Sequence, residues 1–474
     1  MNRQKFLLKN IGLLTVSNFA SKILIFLLVP LYTSVLSTAE YGSYDLAVST
    51  ATLLYPVLSL NIVDAVMRYT MDKGANKKSI ATIGLRFLLS SIFVFCLVVG
   101  VMKVTGVWAD LRGLELYIAL YYISYVFNQY LIQFAKGLER VKDMMFAGVL
   151  STLVTVATNI LFLLVFKWGL PGFFFANILA QALSALFLAV RVKLWSYIDF
   201  RQRDATLQRE MLAYSVPLIA TVVGWWVNST SDKYVVSIMM GVAANGLLSV
   251  AYKIPSIISV FQSIFTQAWQ ISAVKEYGEG DTANFYGNTF TLVNLLVSVA
   301  CSCLIILTRP MAYVFFAKDF YVAWLYVPFL LVSSVLNCAS GLLGPILAAQ
   351  KNSKAMMWSA VIGAGSNVVL NIVLVYFTGI QGACIATMIC SYLIYHVRWV
   401  AVGESIRIKD YHLVVFTWLA LVAQTCVEVY TTQTFFELLI LGLIIFVNKE
   451  YVFKTITLCR TIMQKRRNHD ELHL

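Results

Sequence analysis

The sequence predicts an all-α polytopic membrane protein, and three observations carry that prediction. The 474 residues are 60% hydrophobic and only 12% charged, with a mean hydropathy of +0.78; a soluble domain carries about twice that charged fraction. The apolar residues form long runs rather than short periodic patches. A run of about 20 apolar residues crosses the hydrocarbon core as a helix, because lipid offers the backbone no hydrogen-bond partner except itself. Finally, the basic residues segregate: 27 of the 36 lysines and arginines fall in one set of alternate gaps between the runs and 5 in the other.

Cutting at charged or Gly/Pro-rich breaks gives six spans at 11–36, 44–67, 81–103, 114–135, 145–166 and 171–193. A polar linker follows, and then six more at 212–240, 247–271, 286–307, 322–348, 356–377 and 381–401. Two shorter segments, 412–430 and 434–448, each carry one acid, Glu428 and Glu437. The count is fourteen with them and twelve without. The first run is too long for a signal peptide and is read as a retained span. The organisation is therefore a six-helix bundle over 1–195, a linker over 196–210 and a second bundle over 211–402. A helix pair over 403–448 and a basic tail over 449–474 complete it.

The basic excess orients the chain with both termini cytoplasmic. The net charge of +13 answers the anionic cytoplasmic leaflet of a membrane rather than a nucleic acid. In this count Arg398 belongs to a cytoplasmic loop and Arg309 to an outer one. The eight cysteines behave as small hydrophobes, and none of their spacings fits a metal site or a disulfide framework. The loops are too short for a catalytic module and no Gly-Lys dipeptide supports a P-loop. No enzyme activity, catalytic residue, cofactor or metal site is predicted.

An even number of spans per half makes the two halves parallel repeats. Ala39-Glu40-Tyr41-Gly42 entering the second span is echoed by Ala243-Ala244-Asn245-Gly246 entering the eighth. Spans 1, 2, 7 and 8 each carry a proline, namely Pro30, Pro56, Pro217 and Pro255. These are hinge candidates along a transport pathway, against the alternative of ordinary membrane kinks.

Four cations lie inside spans: Lys22, Arg86, Lys233 and Lys253. A charge at the bilayer centre costs roughly 2.5–3.5 kcal/mol on insertion scales, so each needs a polar cavity or a partner. Arg86 is near enough to a span end to snorkel. Lys22, Lys233 and Lys253 are read as lining a cationic lumen, the alternative being structural pairing. Asn18, Asn228, Asp232 and Tyr252 are their polar neighbours. Asp232 and Lys233 point about 100° apart, so only one of them faces the lumen. Asp45 is read as solvated at the outer surface, Asp64 and Arg68 as a local i, i+4 ion pair, and Trp269 as an interface anchor. A lysine-lined lumen suits phosphate or pyrophosphate, while Trp225 and Trp226 offer stacking faces for sugars.

Ser215-Val216-Pro217-Leu218, Trp225-Trp226-Val227-Asn228 and Ser231-Asp232-Lys233-Tyr234 resemble the seventh span of polysaccharide repeat-unit flippases. Ser249 through Pro255 and Gln267-Ala268-Trp269 resemble the eighth, and Asn18, Ser21-Lys22, Pro30-Leu31-Tyr32 and Glu40-Tyr41-Gly42 fit the same family. That family belongs to the multidrug, oligosaccharidyl-lipid and polysaccharide exporter superfamily. The resemblance implies two six-helix bundles in a pseudo-twofold V around a central cavity, working by alternating access. It implies export of undecaprenyl-pyrophosphate-linked oligosaccharides for O-antigen, capsule or exopolysaccharide. An H⁺ or Na⁺ gradient or the membrane potential would drive it, with a polymerase and a chain-length regulator as partners. The extra helix pair resembles that of lipid II flippases. The competing functions are a drug/cation antiporter, which needs intramembrane carboxylates, and a polysaccharide polymerase or glycosyltransferase, which needs a large external loop.

Overall fold

The computed structural model describes residues 23–453 apart from 25, 73, 107, 109–110, 202–203, 280–284, 351, 404–407, 409 and 432. Among the described residues there is no strand, and nine helices are long and apolar enough to cross a membrane, or eleven if two bent pairs count as one span each. The all-α polytopic expectation is borne out. The packing divides the chain into two compact units, 1–250 with 314–321, and 251–313 with 322–474.

The first unit contains α1 (Val29–Val35), α2 (Thr38–Leu58), α3 (Ile62–Thr70), α4 (Lys77–Thr105), α5 (Glu115–Gly137), α6 (Val141–Asn159), α7 (Gly169–Val192), α8 (Ala205–Met240) and α9 (Val242–Ala251). A capping box starts α2: Ser37 accepts from the Glu40 amide while Glu40 accepts from the Ser37 amide. The expected second span is a bent pair, α2 and α3, at 61°. Leu60 and Asn61 take left-handed backbone angles at the bend, with φ of 51° and 48°. Asn tolerates that region by local hydrogen bonding, and the Asn61 amide reaches Asp64 at 2.8 Å. Asp64 also accepts from Gln133, so the expected Asp64–Arg68 pair does not form. Arg68 pairs instead with Asp72, one turn further out.

The backbones of α2 and α9 meet closely. A methyl group built on Gly42 would strike the Val242 carbonyl oxygen, and one built on Gly246 would strike the Thr38 carbonyl oxygen. The contact is reciprocal. Each glycine rests on the first residue of the other helix, and the Asn245 amide donates to the Gly42 carbonyl at 3.1 Å. Small residues at such a crossing let two membrane helices approach backbone to backbone. The sequence echo between 39–42 and 243–246 is thus a physical contact between its two copies.

Two further ties fix this unit. Asp143, 4% exposed, pairs with Arg140 and Arg191. The linker is held on α4: the Arg86 guanidinium donates to the Phe200 carbonyl at 2.6 Å, and Thr82 Oγ1 accepts from the Asp199 amide. Arg86 is therefore engaged by the linker.

The second unit contains α10 (Lys253–Glu279), α11 (Phe285–Ile306), α12 (Thr308–Phe315, up to Tyr313), α13 (Val327–Ala349), α14 (Ser353–Thr378), α15 (Ile380–Val402), α16 (Tyr411–Cys426) and α17 (Thr434–Val447). α13 is its most enclosed helix. Trp269, expected as an interface anchor, is 3% exposed and donates its indole N–H to the Leu342 carbonyl at 2.9 Å. A burial of that kind stabilises through apolar area with the N–H satisfied. Arg398, expected as a loop charge, is a residue of α15 and only 6% exposed. It donates to Ser359 Oγ and to the Ser340 carbonyl. Beyond α17, Tyr451 donates to Asp410 at 2.6 Å. Burial, and then that carboxylate, pushes its phenol up to about 12.

Gly42→Ala and Gly246→Ala should each lower stability by about 1–3 kcal/mol, because overpacking against a backbone carbonyl has no side chain to yield. The readout is the Tm of the detergent-solubilised protein. Gly100→Ala is the control, since a methyl there meets open space. Equal Tm values for all three would refute the close contact.

Candidate functional site

The glycine crossing brings together side chains one turn further along each helix. Asp45 lies three residues after Gly42 and Ser249 three after Gly246, and Ser249 Oγ donates to Asp45 Oδ2 at 2.8 Å. From α8, the Lys233 ammonium reaches Asp45 Oδ1 at 3.0 Å, with both side chains less than one-fifth exposed. Asp45 is therefore the counter-ion of Lys233, and the expectation that it is solvated is corrected. A half-buried pair of this kind is held by charge-assisted hydrogen bonds. Removing one member leaves the other charge unpaired in a poorly solvated place, which is costly.

Asp232 and Lys233 do diverge as their 100° separation requires. Asp232 is 2% exposed and accepts from the Lys233 backbone amide, while the Lys233 side chain turns to α2. The next residue of α8, Tyr234, has its hydroxyl 2.7 Å from Thr50 Oγ1. Its ring is 5.3 Å from that of Trp226 and 6.5 Å from that of Trp108. Thr50 and Trp108 line a cavity closed by Ala47, Phe95, Glu115 and Ile118. Trp226 is half-buried and Trp225 is exposed. The Asn228 side-chain oxygen Oδ1 is buried with no hydrogen-bond partner.

Lys253 and Tyr252 belong to the second unit. The expected eighth span is a bent pair, α9 and α10, at 44°. Tyr252 occupies the break, Lys253 opens α10 and Pro255 lies in its first turn. Both Tyr252 and Lys253 are half-buried and engaged in polar or ring contacts. Pro30 sits in the first turn of α1, where its missing N–H costs nothing. Pro56 lies inside α2 just before its bend and Pro217 inside the unbroken α8. Lys22 and Asn18 lie outside the described residues, as do the side chains of Gln267 and Ala268. Among the described residues no group of three or more His, Cys, Asp and Glu side chains is placed to hold a metal ion.

Sequence reasoning missed three sets of residues. Asp45 and Ser249 stand at matching positions of the echo, one turn past its glycines, and that register was the available signal. Arg398 was assigned by distance from a span end alone. Arg309, assigned to an outer loop, is in fact 3.1 Å from Glu428.

The sequence model described as "polysaccharide biosynthesis protein" matches residues 7–270, more than half of the chain. The chain belongs to the polysaccharide biosynthesis protein family. A second model, MatE, matches residues 217–373 of this family member. Among solved structures it is similar to a lipid II flippase in an inward closed conformation, with a TM-score of 0.68 and 15% identity, covering 95% of this chain and 99% of that one. It is also similar to an inward-facing multidrug resistance transporter, with a TM-score of 0.60 and 15% identity over 83% and 95% of the two chains. A superfamily transporter from Pyrococcus furiosus matches at a TM-score of 0.57 and 15% identity, over 84% and 96%. No curated protein matches. The likeness to these solved structures is one of fold.

Asp45→Asn and Lys233→Met should each lower the Tm, and the double variant should lose less than the sum. The expected coupling is about 0.5–3 kcal/mol, the range for groups in direct contact. Additive losses in this double-mutant cycle would show that the pair carries no interaction energy.

Proposed function

We propose that this protein is a flippase that moves undecaprenyl-pyrophosphate-linked oligosaccharide repeat units from the inner to the outer leaflet of a bacterial cytoplasmic membrane. It acts by alternating access, with both termini cytoplasmic, and serves O-antigen, capsule or exopolysaccharide assembly. The observation that carries the reading is the Lys233–Asp45 pair inside a member of the polysaccharide biosynthesis family. Lys233 is a membrane-embedded cation neutralised by a single, half-buried carboxylate. A pyrophosphate is a stronger partner for an ammonium group than one carboxylate, since it offers more charge and more acceptor oxygens. Substrate would take Lys233 from Asp45, and the pair would re-form after release. Lys22 and Lys253 supply further positive charge, and Trp225, Trp226 and Tyr234 offer faces for sugar rings.

In this reading the two halves, 1–195 and 211–402, are parallel six-helix repeats joined by the linker 196–210. The reciprocal contact of Gly42 and Gly246 supports the repeat. A gradient of H⁺ or Na⁺ or the membrane potential drives net export; one charge crossing 100 mV is worth roughly 2.3 kcal/mol. A polymerase and a chain-length regulator consume the product. The drug/cation antiporter reading rests on the MatE match and on Asp45. It is disfavoured because the carboxylate it would use is already neutralised by a lysine.

Lys233→Ala and Lys253→Ala should each abolish surface polymer while the protein remains inserted at wild-type level. Deleting the gene should accumulate lipid-linked repeat units on the cytoplasmic face. Normal polymer from both variants would end the cationic-lumen reading, and accumulation of single units outside would point to a polymerase defect instead.

A further inference from the structure

A small polar cavity inside the second unit plays no part in the Lys233 site. It encloses about 10 Å³, and five of its seven lining side chains are polar. That is room for one water-sized sphere. Thr291, Asn294 and Ser298 come from α11, Thr417 comes from α16, and Asn448 caps the C-terminus of α17. The spacing 291, 294, 298 keeps the α11 residues on one helix face. None of the five is more than 3% exposed.

Most of the hydrogen-bond donors in this set are already spent. The Thr291 hydroxyl donates to the Gly287 carbonyl and that of Thr417 to the Leu413 carbonyl. The Asn448 amide donates to Thr417 Oγ1 and to the Ile444 carbonyl, and the Asn294 amide to the Phe290 carbonyl. The lining is therefore rich in oxygen lone pairs. Two of these atoms, Asn294 Oδ1 and Ser298 Oγ, are buried with no hydrogen-bond partner. Bonding between helices does not account for them, because the next polar pair along the same helices, Ser302 and Gln424, satisfies itself. An acceptor left unpaired in a dry place is costly, so the cavity suits a guest that satisfies oxygens. Three features select a cation over a water. A water donates two hydrogens and leaves the other lone pairs unmet, whereas a cation attracts every oxygen around it. The cavity lies at the C-terminal, negative end of the α17 dipole. A carboxylate stands close by: Asp410 is the N-cap of α16, four residues before the lining residue Val414, and is held by the Tyr451 hydroxyl at 2.6 Å. The neighbouring Lys449 is exposed and turns onto the ring of Phe446. No lining residue is acidic, which disfavours a divalent ion, since such ions are held by carboxylates.

We propose that this cavity binds a single dehydrated Na⁺ through the neutral side-chain oxygens of Thr291, Asn294, Ser298, Thr417 and Asn448, and that the ion clamps α16 and α17 onto α11. The ligands come from three helices, so the ion joins elements that are distant in sequence. Its binding requires nothing of the transported substrate and stands apart from the flippase reading.

The test uses the full-length protein in lipid nanodiscs, with Na⁺ exchanged for choline, which is too large for the cavity, at constant ionic strength. The wild-type Tm should rise with Na⁺ concentration, because a ligand of the folded state stabilises it by mass action. Ser298→Ala and Asn294→Leu should flatten that rise and weaken binding of radiolabelled Na⁺ by about tenfold or more, as loss of a metal-site contact does. Asn294→Asp, which adds negative charge to the ligand set, should keep the rise or steepen it, an outcome that a purely structural asparagine would not give. Should Asn294→Leu fail to fold, Ser298→Ala removes one oxygen atom and carries the same comparison. A high-resolution crystal structure grown in Na⁺ should place one atom in the cavity, closer to its oxygens than ordinary hydrogen-bond length. A water at hydrogen-bond distances there, or a Na⁺ response of the folded variants equal to that of the wild type, would overturn the site.

Discussion

The first unit depends on one steric constraint: two helix backbones meet at Gly42 and Gly246 with no room for a side chain. Helices in lipid gain nothing from hydrophobic segregation, so association rests on close packing and on hydrogen bonds made across the contact. The glycine crossing supplies the first and Asn245 the second. The rest of the site is a matter of register. A residue three positions past each glycine falls on the same face, so Asp45 and Ser249 meet, and α8 completes the arrangement with Lys233. The ion pair is placed by two residues that have no chemistry of their own.

The second principle is that charges inside the apolar shell come with partners. Lys233 has Asp45, Asp143 has two arginines, Arg86 has a linker carbonyl and Arg398 has Ser359 and a carbonyl. The cost of an isolated charge in lipid makes such satisfaction close to obligatory. The pairs differ in composition. Arg398 is held by neutral dipoles, whereas Lys233 is held by a carboxylate. Arg309 has Glu428.

The helical class and the helix sequence were legible because apolar runs and their breaks are local properties. So was the family, through the motifs around Pro217, Lys233 and Pro255. The echo between 39–42 and 243–246 was legible as a repeat, but its copies touch each other, and contact is a tertiary fact that periodicity does not encode. Asp45 looked solvated because depth was measured along one span. Its neighbours come from residues about 190–200 positions later. The same limitation hid Arg309 from Glu428 and put Arg398 in a loop. The bends after Leu58 and Ala251 escaped because each falls inside a single long hydrophobic run, and a left-handed residue such as Leu60 leaves no compositional mark.

The length of α8 has a mechanical consequence. Thirty-six residues without interruption extend about 54 Å, against roughly 30 Å of hydrocarbon. The helix is therefore a lever whose far arm reaches beyond the membrane core. A tilt of about 10° at one end displaces the other by about 9 Å on this rise per residue. Lys233 sits on one arm, Glu210 and the linker on the other, and the helix runs unbroken through Pro217 between them. Any tilt of this helix at the Lys233 end is thereby geared to a displacement of several ångströms at the linker.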